Sequence, residues 1–329
     1  SDTMMMPPVP FHCNHASSMN RFVAVAALLI AAQAHAQSRF SAGVRQFIVV
    51  DTPVVAITNV RVIDGTGSAP MERQIVLIRD GKIAAIGTSA SVTPPANARI
   101  IDGTGKTLIP GLVMVHEHLF YPSGERATYH AFPYSFARMY LAAGITTART
   151  GGNMGAYADL NIRRQIDAGT AIGPKLDVTA PYLNGSNPFP QMYSFRDSAD
   201  ARRFVAHWAD LGATSFKAYM QITRDQLRAA VEEAHRRGLK VTGHLCSVTY
   251  REAATLGIDN LEHGFLAATD FSPRKQPDAC PGAPTQAIAA MDVATDTIAR
   301  SVIRTLVDRD VAVTSTLAIF ESFTPGTPE

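Results

Sequence analysis

The chain is expected to adopt an α/β fold, a (β/α)8 TIM-type barrel that is incomplete because its eighth strand is missing. After Thr107 apolar strands alternate with amphipathic helices, the pattern of parallel βα units. Those strands end on polar residues, near His118, Thr150, Tyr182, Lys217, His244, His263 and Thr316. In a barrel the C-terminal strand ends surround one mouth, so chemistry gathered there favours a barrel over an open doubly wound sheet. Seven strands can be counted, the last running from Val311 to Phe320.

Ahead of the barrel lies a small β layer. Short strands over Val55–Val62, Gln74–Ile78, Lys82–Ile86 and Arg99–Ile101 are separated by Asp64-Gly65-Thr66-Gly67, Asp80-Gly81 and Thr93-Pro94-Pro95. Asp-Gly between two apolar runs is a strong hairpin signal. Within the barrel, Thr223 with Gln226 three residues on forms a capping box, and Leu227, Ala230, Val231 and Ala234 follow on one face before Gly238. A second helix presents Phe204, Val205, Trp208 and Leu211 in the same way, which leaves His207, like His235, at the surface.

Composition narrows the function classes. With 46% hydrophobic and 18% charged residues, the chain is globular, and a formal charge of +2 without a Lys/Arg cluster gives no field for nucleic acid. From Met19 onward, Arg21, the apolar run Phe22–Ala32 and Ala34-His35-Ala36 before Gln37 read as a secretory signal cleaved after Ala36. The run is too short for a membrane span, which needs about 20 residues. The expected product is a periplasmic or secreted protein that leaves the membrane after cleavage. Residues 1–18 read as an upstream extension whose His12 and His15 are not ligands. The organisation is then extension 1–18, signal peptide 19–36, β portion 37–106 and barrel 107–329. Loss of Cys13 with the leader leaves Cys246 and Cys280, whose pairing is left open.

Four strand ends carry unusual chemistry. His116 and His118 close the strand Leu108-Ile109-Pro110-Gly111-Leu112-Val113-Met114-Val115-His116-Glu117-His118; strand side chains alternate, so both imidazoles face one way and Glu117 the other. Lys217 ends Ser215-Phe216-Lys217-Ala218-Tyr219, His244 ends Val241-Thr242-Gly243-His244, and His263 lies in Leu261-Glu262-His263-Gly264. Each has an ordinary reading as a strand-end hydrogen bonder, but together they are what a metal centre at a barrel mouth requires. Tyr219, two residues past Lys217 on the same face, is placed to hydrogen bond substrate or simply to pack. Arg149 could meet a substrate carboxylate or, more simply, form a structural ion pair.

From about Val54 onward, these motifs resemble the amidohydrolase superfamily, in particular its imidazolonepropionase-like and its dihydroorotase- and hydantoinase-like branches. The resemblance implies a β-sandwich, built from both termini, beside the metal-bearing barrel. It implies metal ligation by His116, His118, Lys217, His244 and His263. Lys217 would carry a CO2-derived carbamate and bridge two divalent ions, most often zinc. The implied reaction is cleavage of an amide or cyclic amide C–N bond by a metal-activated hydroxide, with Lys217 and Tyr219 as catalytic residues and a small-molecule amide or dipeptide as substrate. Alternatives are a dipeptidase or N-acyl amino acid hydrolase on the same site, and a secreted metal- or ligand-binding protein that has lost catalysis. A homo-oligomer is also open. The chain departs from the family at Met114, where an aspartate is frequent, and in having no match for the aspartate that ends the family's eighth strand. On that reading it is a fragment of a longer enzyme and inactive by itself.

Overall fold

The computed structural model describes residues 39–123, 128–186, 189, 191–321 and 326. The expected extension and signal peptide, over 1–36, lie outside the described residues. After a short helix α1 (Ala42–Arg45), five strands form one mixed sheet: β1 (Val54–Val62), β2 (Met71–Arg79), β3 (Lys82–Gly87), β4 (Arg99–Asp102) and β5 (Thr107–Leu108). The order is β3-β2-β1-β4, with β5 also pairing β1. β2 and β3 are joined by the expected turn, where Asp80 and Gly81 both take positive φ (49° and 75°). That backbone matches the right-handed strand twist and favours Asp-Gly. Ala56, Val60, Val62 and Val76 are buried along this sheet.

β6 (Leu112–Glu117) opens the second part, followed by the hairpin β7 (Phe120–Ser123) and β8 (Thr128–Ala131). Then helices and strands alternate: α2 (Pro133–Ala142), β9 (Ile145–Thr150), α3 (Tyr157–Asp167), β10 (Lys175–Asp177), α4 (Ser198–Asp210), β11 (Ser215–Ala218), α5 (Arg224–Arg236), β12 (Lys240–Gly243), α6 (Tyr250–Thr255) and β13 (Asn260–Glu262). The short helix α7 (Thr285–Ala289), α8 (Thr297–Asp308), β14 (Ala312–Thr314) and α9 (Leu317–Glu321) complete the described elements. Parallel pairing runs through β10-β9-β6 and through β11-β12-β13-β14. Parallel bridges Thr179–Ser215 and Leu183–Ala218 link the chain after β10 to β11. The result is a TIM-barrel-like α/β arc of parallel strands, with no closing pair between β14 and β6 among the described residues.

One core fills the arc. Phe216, Val241 and Leu261 point into it from neighbouring strands and meet Val205, Leu227 and Val302 from the helices, all with essentially no exposure. α5 starts where the sequence says, with both halves of the Thr223–Gln226 capping box made, and Gly238 at φ 71° turns the chain just beyond its end. His207 and His235 are exposed, as expected.

Two strand ends differ from the sequence reading. The third barrel strand was expected to reach Tyr182, but β10 stops at Asp177 and continues only as isolated bridges. Pro181 has no N–H to give the ladder. The last strand was expected over Val311–Phe320, but β14 stops at Thr314 and α9 begins at Leu317. Between them Thr316 takes φ 50° and spends its hydroxyl on His263 Nδ1, 2.8 Å away, so extended pairing cannot continue.

Cys246 and Cys280 form a disulfide with Cα atoms 4.8 Å apart, closing the question left open by the sequence. No helix among the described residues is long and apolar enough to cross a membrane. The bridge ties the loop before α7 to the end of β12 across 34 residues of sequence. Cys280→Ser is expected to lower the unfolding free energy of oxidised protein by roughly 3–4 kcal/mol. Urea unfolding checks this, and an unchanged midpoint would mean that other contacts hold the loop.

Candidate metal centre

The site begins with two glycines. Gly151 and Gly152 follow β9, and a Cβ at Gly151 would lie 2.6 Å from His116 Nε2 and 3.1 Å from His118 Cε1. Only glycine leaves room for both imidazoles. Gly152 takes φ 92°, where a Cβ would strike the Tyr182 ring at 2.5 Å, and its carbonyl accepts a hydrogen bond from His118 Nδ1 at 2.9 Å. A carbonyl only accepts, so His118 carries its proton on Nδ1 and keeps the Nε2 lone pair for the centre.

His116 is fixed in the same way by a carboxylate. Its Nδ1 donates to Glu262 Oε2 at 2.7 Å, and its Nε2 lies 3.1 Å from Lys217 Nζ. The remaining imidazoles complete a ring around Lys217. Centroid separations are 5.2 Å for His116–His118, 4.8 Å for His116–His263 and 4.6 Å for His244–His263. Tyr219 follows at 5.0 Å from His244, with the Tyr182 ring tilted against it 4.5 Å beyond. All five residues expected as ligands, and Tyr219, therefore meet at one mouth. Glu117 points away to Tyr140 Oη, as strand alternation requires.

Glu262 organises this ring. It has no exposed surface, and receives Arg149 Nη2 at 2.8 Å, Thr242 Oγ1 at 2.6 Å and Asn260 Nδ2 at 3.0 Å besides His116. Burial pushes its carboxyl up, but the His116 hydrogen bond and the Arg149 charge outweigh that and hold it well below the usual carboxylate range. Sequence reasoning quoted Glu262 within a motif and gave it no role. It also left Arg149 a substrate carboxylate as an alternative; the structure pairs Arg149 with Glu262. A carboxylate partner for the first imidazole, with Met114 standing where the family often has an aspartate, is thus supplied from β13.

The electrostatics leave neutral donors at the centre. Burial lowers every imidazole: His118 well below its ordinary value, His116 less so, His244 to about 3 and His263 to about 2. Lys217, 1% exposed, is brought down to about 7, chiefly by burial. Burial pushes the Tyr219 hydroxyl up, so it stays a donor at neutral pH. Among the described residues no group of three or more His, Cys, Asp or Glu side chains is placed to hold a metal ion. The donor chemistry nonetheless fits a divalent ion: neutral imidazoles, three with Nδ1 anchored, around a buried amine that loses its proton readily.

Beside the centre is a cavity of about 620 Å3 whose wall includes Phe120, Tyr129, Tyr182 and Tyr219. Phe120 and Tyr129 also line a smaller cavity of about 310 Å3 with Asn153 and Asp159, two residues that sequence reasoning missed. Asn153 Nδ2 donates to Asp159 Oδ2 at 2.7 Å, and burial raises the Asp159 carboxyl to about 6. No spacing rule marks this pair, because it joins a loop to a helix.

Residues 107–268 match the amidohydrolase family, so the chain carries an amidohydrolase-family domain. Over 64 residues it is 42% identical to an imidazolonepropionase of Geobacillus, covering 18% of this chain and 15% of that protein. Over 56 residues it is 46% identical to a dihydroorotase of Mycobacterium tuberculosis, covering 17% and 13%. The matched stretches thus span only about a seventh of these curated relatives. Among solved structures, a candidate prolidase from Bifidobacterium longum superposes with TM-score 0.55 at 29% identity, over 64% of this chain and 54% of its own. A Xaa-Pro dipeptidase with bound methionine superposes with TM-score 0.62 over 82% and 68%, and at 17% identity it speaks for the fold alone.

Two outcomes follow from this geometry. Gly151→Ala should displace the His116 ring, lowering affinity for divalent metal by about tenfold or more while the chain stays folded; a chelator-competition titration beside circular dichroism would show it, and unchanged affinity would contradict the packing. Asp159 has its carboxyl raised from 3.8 to about 6, so the native state binds the extra proton. Its favourable contribution is present below about pH 4 and is lost as pH rises through about 6, by roughly 3 kcal/mol at most. Asp159→Asn should flatten stability across that window in urea unfolding, and an unaltered slope would contradict the assignment.

Proposed function

We propose that this chain carries the catalytic centre of a metal-dependent hydrolase that cleaves an amide C–N bond in a small substrate, with dipeptides preferred to cyclic amides. The observation that carries the reading is the cluster of neutral, half-buried imidazoles beside the buried Lys217 at one barrel mouth. His116, His118, Lys217, His244 and His263 would hold the metal, and zinc, in a pair of ions, suits the donor set. A bound divalent ion supplies carbonyl polarisation and a water made acidic enough to ionise near neutral pH.

The chain's own residues do the rest. Glu262 keeps His116 oriented and Gly152 does the same for His118. Lys217 is substantially neutral near pH 7, so its amine can add to CO2, releasing one proton and forming an anionic carbamate with two oxygen donors. Tyr219 lines the cavity of about 620 Å3, where its hydroxyl can donate to a substrate carbonyl or carboxylate. The aromatic wall keeps bulk water from the reacting bond. The preference for dipeptides is supported by the candidate prolidase from Bifidobacterium longum, a solved structure 29% identical to this chain.

The β portion 37–106 and barrel 107–329 are the domain division we favour. A cavity of about 710 Å3 separates β6 from β14, lined by Met114, Val115, Thr314 and Leu317 and open to His116 and His263. We read it as the seat of an eighth strand, which would complete a (β/α)8 barrel and bring the carboxylate that passes a proton to the leaving nitrogen. An exported protein remains our reading of residues 19–36.

The test is hydrolysis by zinc-loaded protein of Xaa-Pro dipeptides, N-acyl amino acids, dihydroorotate and hydantoin. Turnover of a dipeptide above the cyclic amides is expected, and Lys217→Ala should reduce it by more than about a hundredfold. In parallel, 13C-bicarbonate should label a carbamate in the wild-type protein and not in Lys217→Ala. Full activity in Lys217→Ala, or hydrolysis of none of these compounds when the eighth strand is supplied, would overturn the reading.

A further inference from the structure

Among the described residues, Asn153 Oδ1 is the one buried side-chain atom with no hydrogen-bond partner. Asn153 and Asp159 are each 3% exposed and both line the cavity of about 310 Å3. The amide orientation follows from chemistry: Nδ2 donates to the Asp159 carboxylate, and turning the amide over would set Oδ1 against that carboxylate. An acceptor and a carboxylate thus share one small chamber. No Lys, Arg or His is among the residues lining it; of its other polar side chains, Gln191 is spent on the backbone of Tyr129 at 2.8 and 3.4 Å, and Tyr129 brings a neutral hydroxyl that makes no hydrogen bond to Asn153 Oδ1. Buried acceptors are normally satisfied, so Asn153 Oδ1 lacks the donor expected for it.

The chamber is coupled to the metal centre by structure. Asn153 directly follows Gly152, whose carbonyl holds His118. Phe120 and Tyr129 line both cavities, with their rings 4.9 Å apart and Phe120 4.6 Å from His118. A molecule reacting at the imidazole ring therefore has a second compartment within reach along an aromatic wall. Such walls suit a methylene stem and attract a cation.

We propose that this chamber is a specificity subsite for a cationic substituent of the substrate, an alkylammonium held by Asn153 Oδ1 and the Asp159 carboxylate while the amide bond lies at the histidine ring. The ammonium supplies N–H donors to both acceptors and charge to a carboxylate that has no cation among the residues lining the chamber. Ammonium recognition by the chamber stands on the geometry alone; its use in substrate selection rests on the hydrolase reading.

The experiment uses the full chain and two probe pairs. Binding of n-butylammonium against 1-butanol is followed by saturation-transfer NMR, and kcat/KM is compared for Lys-Pro against norleucyl-proline on zinc-loaded protein. Wild-type protein should bind the ammonium in preference to the alcohol and favour Lys-Pro. Asp159→Asn, close to isosteric, and Asn153→Leu should each weaken the ammonium by roughly ten- to a hundredfold and collapse the Lys-Pro to norleucyl-proline ratio toward one. Equal binding of the two small probes, or an ammonium preference that survives both variants, would overturn the subsite and leave Asn153 satisfied by a buried water. Hydrolysis of norleucyl-proline without a lysine preference overturns the substrate role but not the hydrolase. Ammonium binding lost in both variants, with neither dipeptide hydrolysed, upholds the chamber and removes the reaction.

Discussion

The site depends on one buried carboxylate. Glu262 has no contact with solvent, and four groups from four different parts of the chain converge on it: His116, Arg149, Thr242 and Asn260. A charge taken so far from water is tolerated only when it is paired and fully hydrogen bonded. These contacts therefore fix the relative positions of β6, β9, β12 and β13, and they set the direction of the His116 lone pair. Replacing one partner would leave the others buried and unpaired, which is costlier than losing a surface ion pair. Orientation of the first imidazole and cohesion of the strand ends are one interaction.

Close packing extends the same control to the other imidazoles. His118 is aimed by a backbone carbonyl, which requires Gly152 in a left-handed conformation, and it shares its space with His116 only because Gly151 has no side chain. His263, itself at φ 70°, leans on Thr316, the residue that ends the last strand. Each device converts a strand end into a directed nitrogen. Burial then strips the rings of protons, so the donor set is formed by desolvation as much as by placement.

Much of the fold was legible from the sequence because its signals are local. Alternating β and α patterns, the Asp80-Gly81 turn and the Thr223–Gln226 box need only neighbours along the chain, and all appear as expected. The candidate ligands were legible because strand ends of a barrel meet whatever lies between them. What escaped were relations between distant residues: Glu262 beneath His116 and as the partner in the ion pair expected for Arg149, and Asn153 with Asp159. Strand ends governed by a missing donor at Pro181 or a left-handed Thr316 also escaped, since periodicity sees hydrophobicity and not the local backbone. The pairing of Cys246 with Cys280 likewise depends on three-dimensional proximity alone.

The central claim is that these residues form a metal centre whose first imidazole is held by Glu262. Competitive chelator titration of zinc into the full chain and into Glu262→Gln tests it most directly. The account predicts tight zinc binding by the wild-type protein and a loss of affinity of roughly ten- to a hundredfold in the variant, with the variant still folded. Equal affinity in a folded Glu262→Gln, or no zinc binding by the wild-type chain, would contradict it.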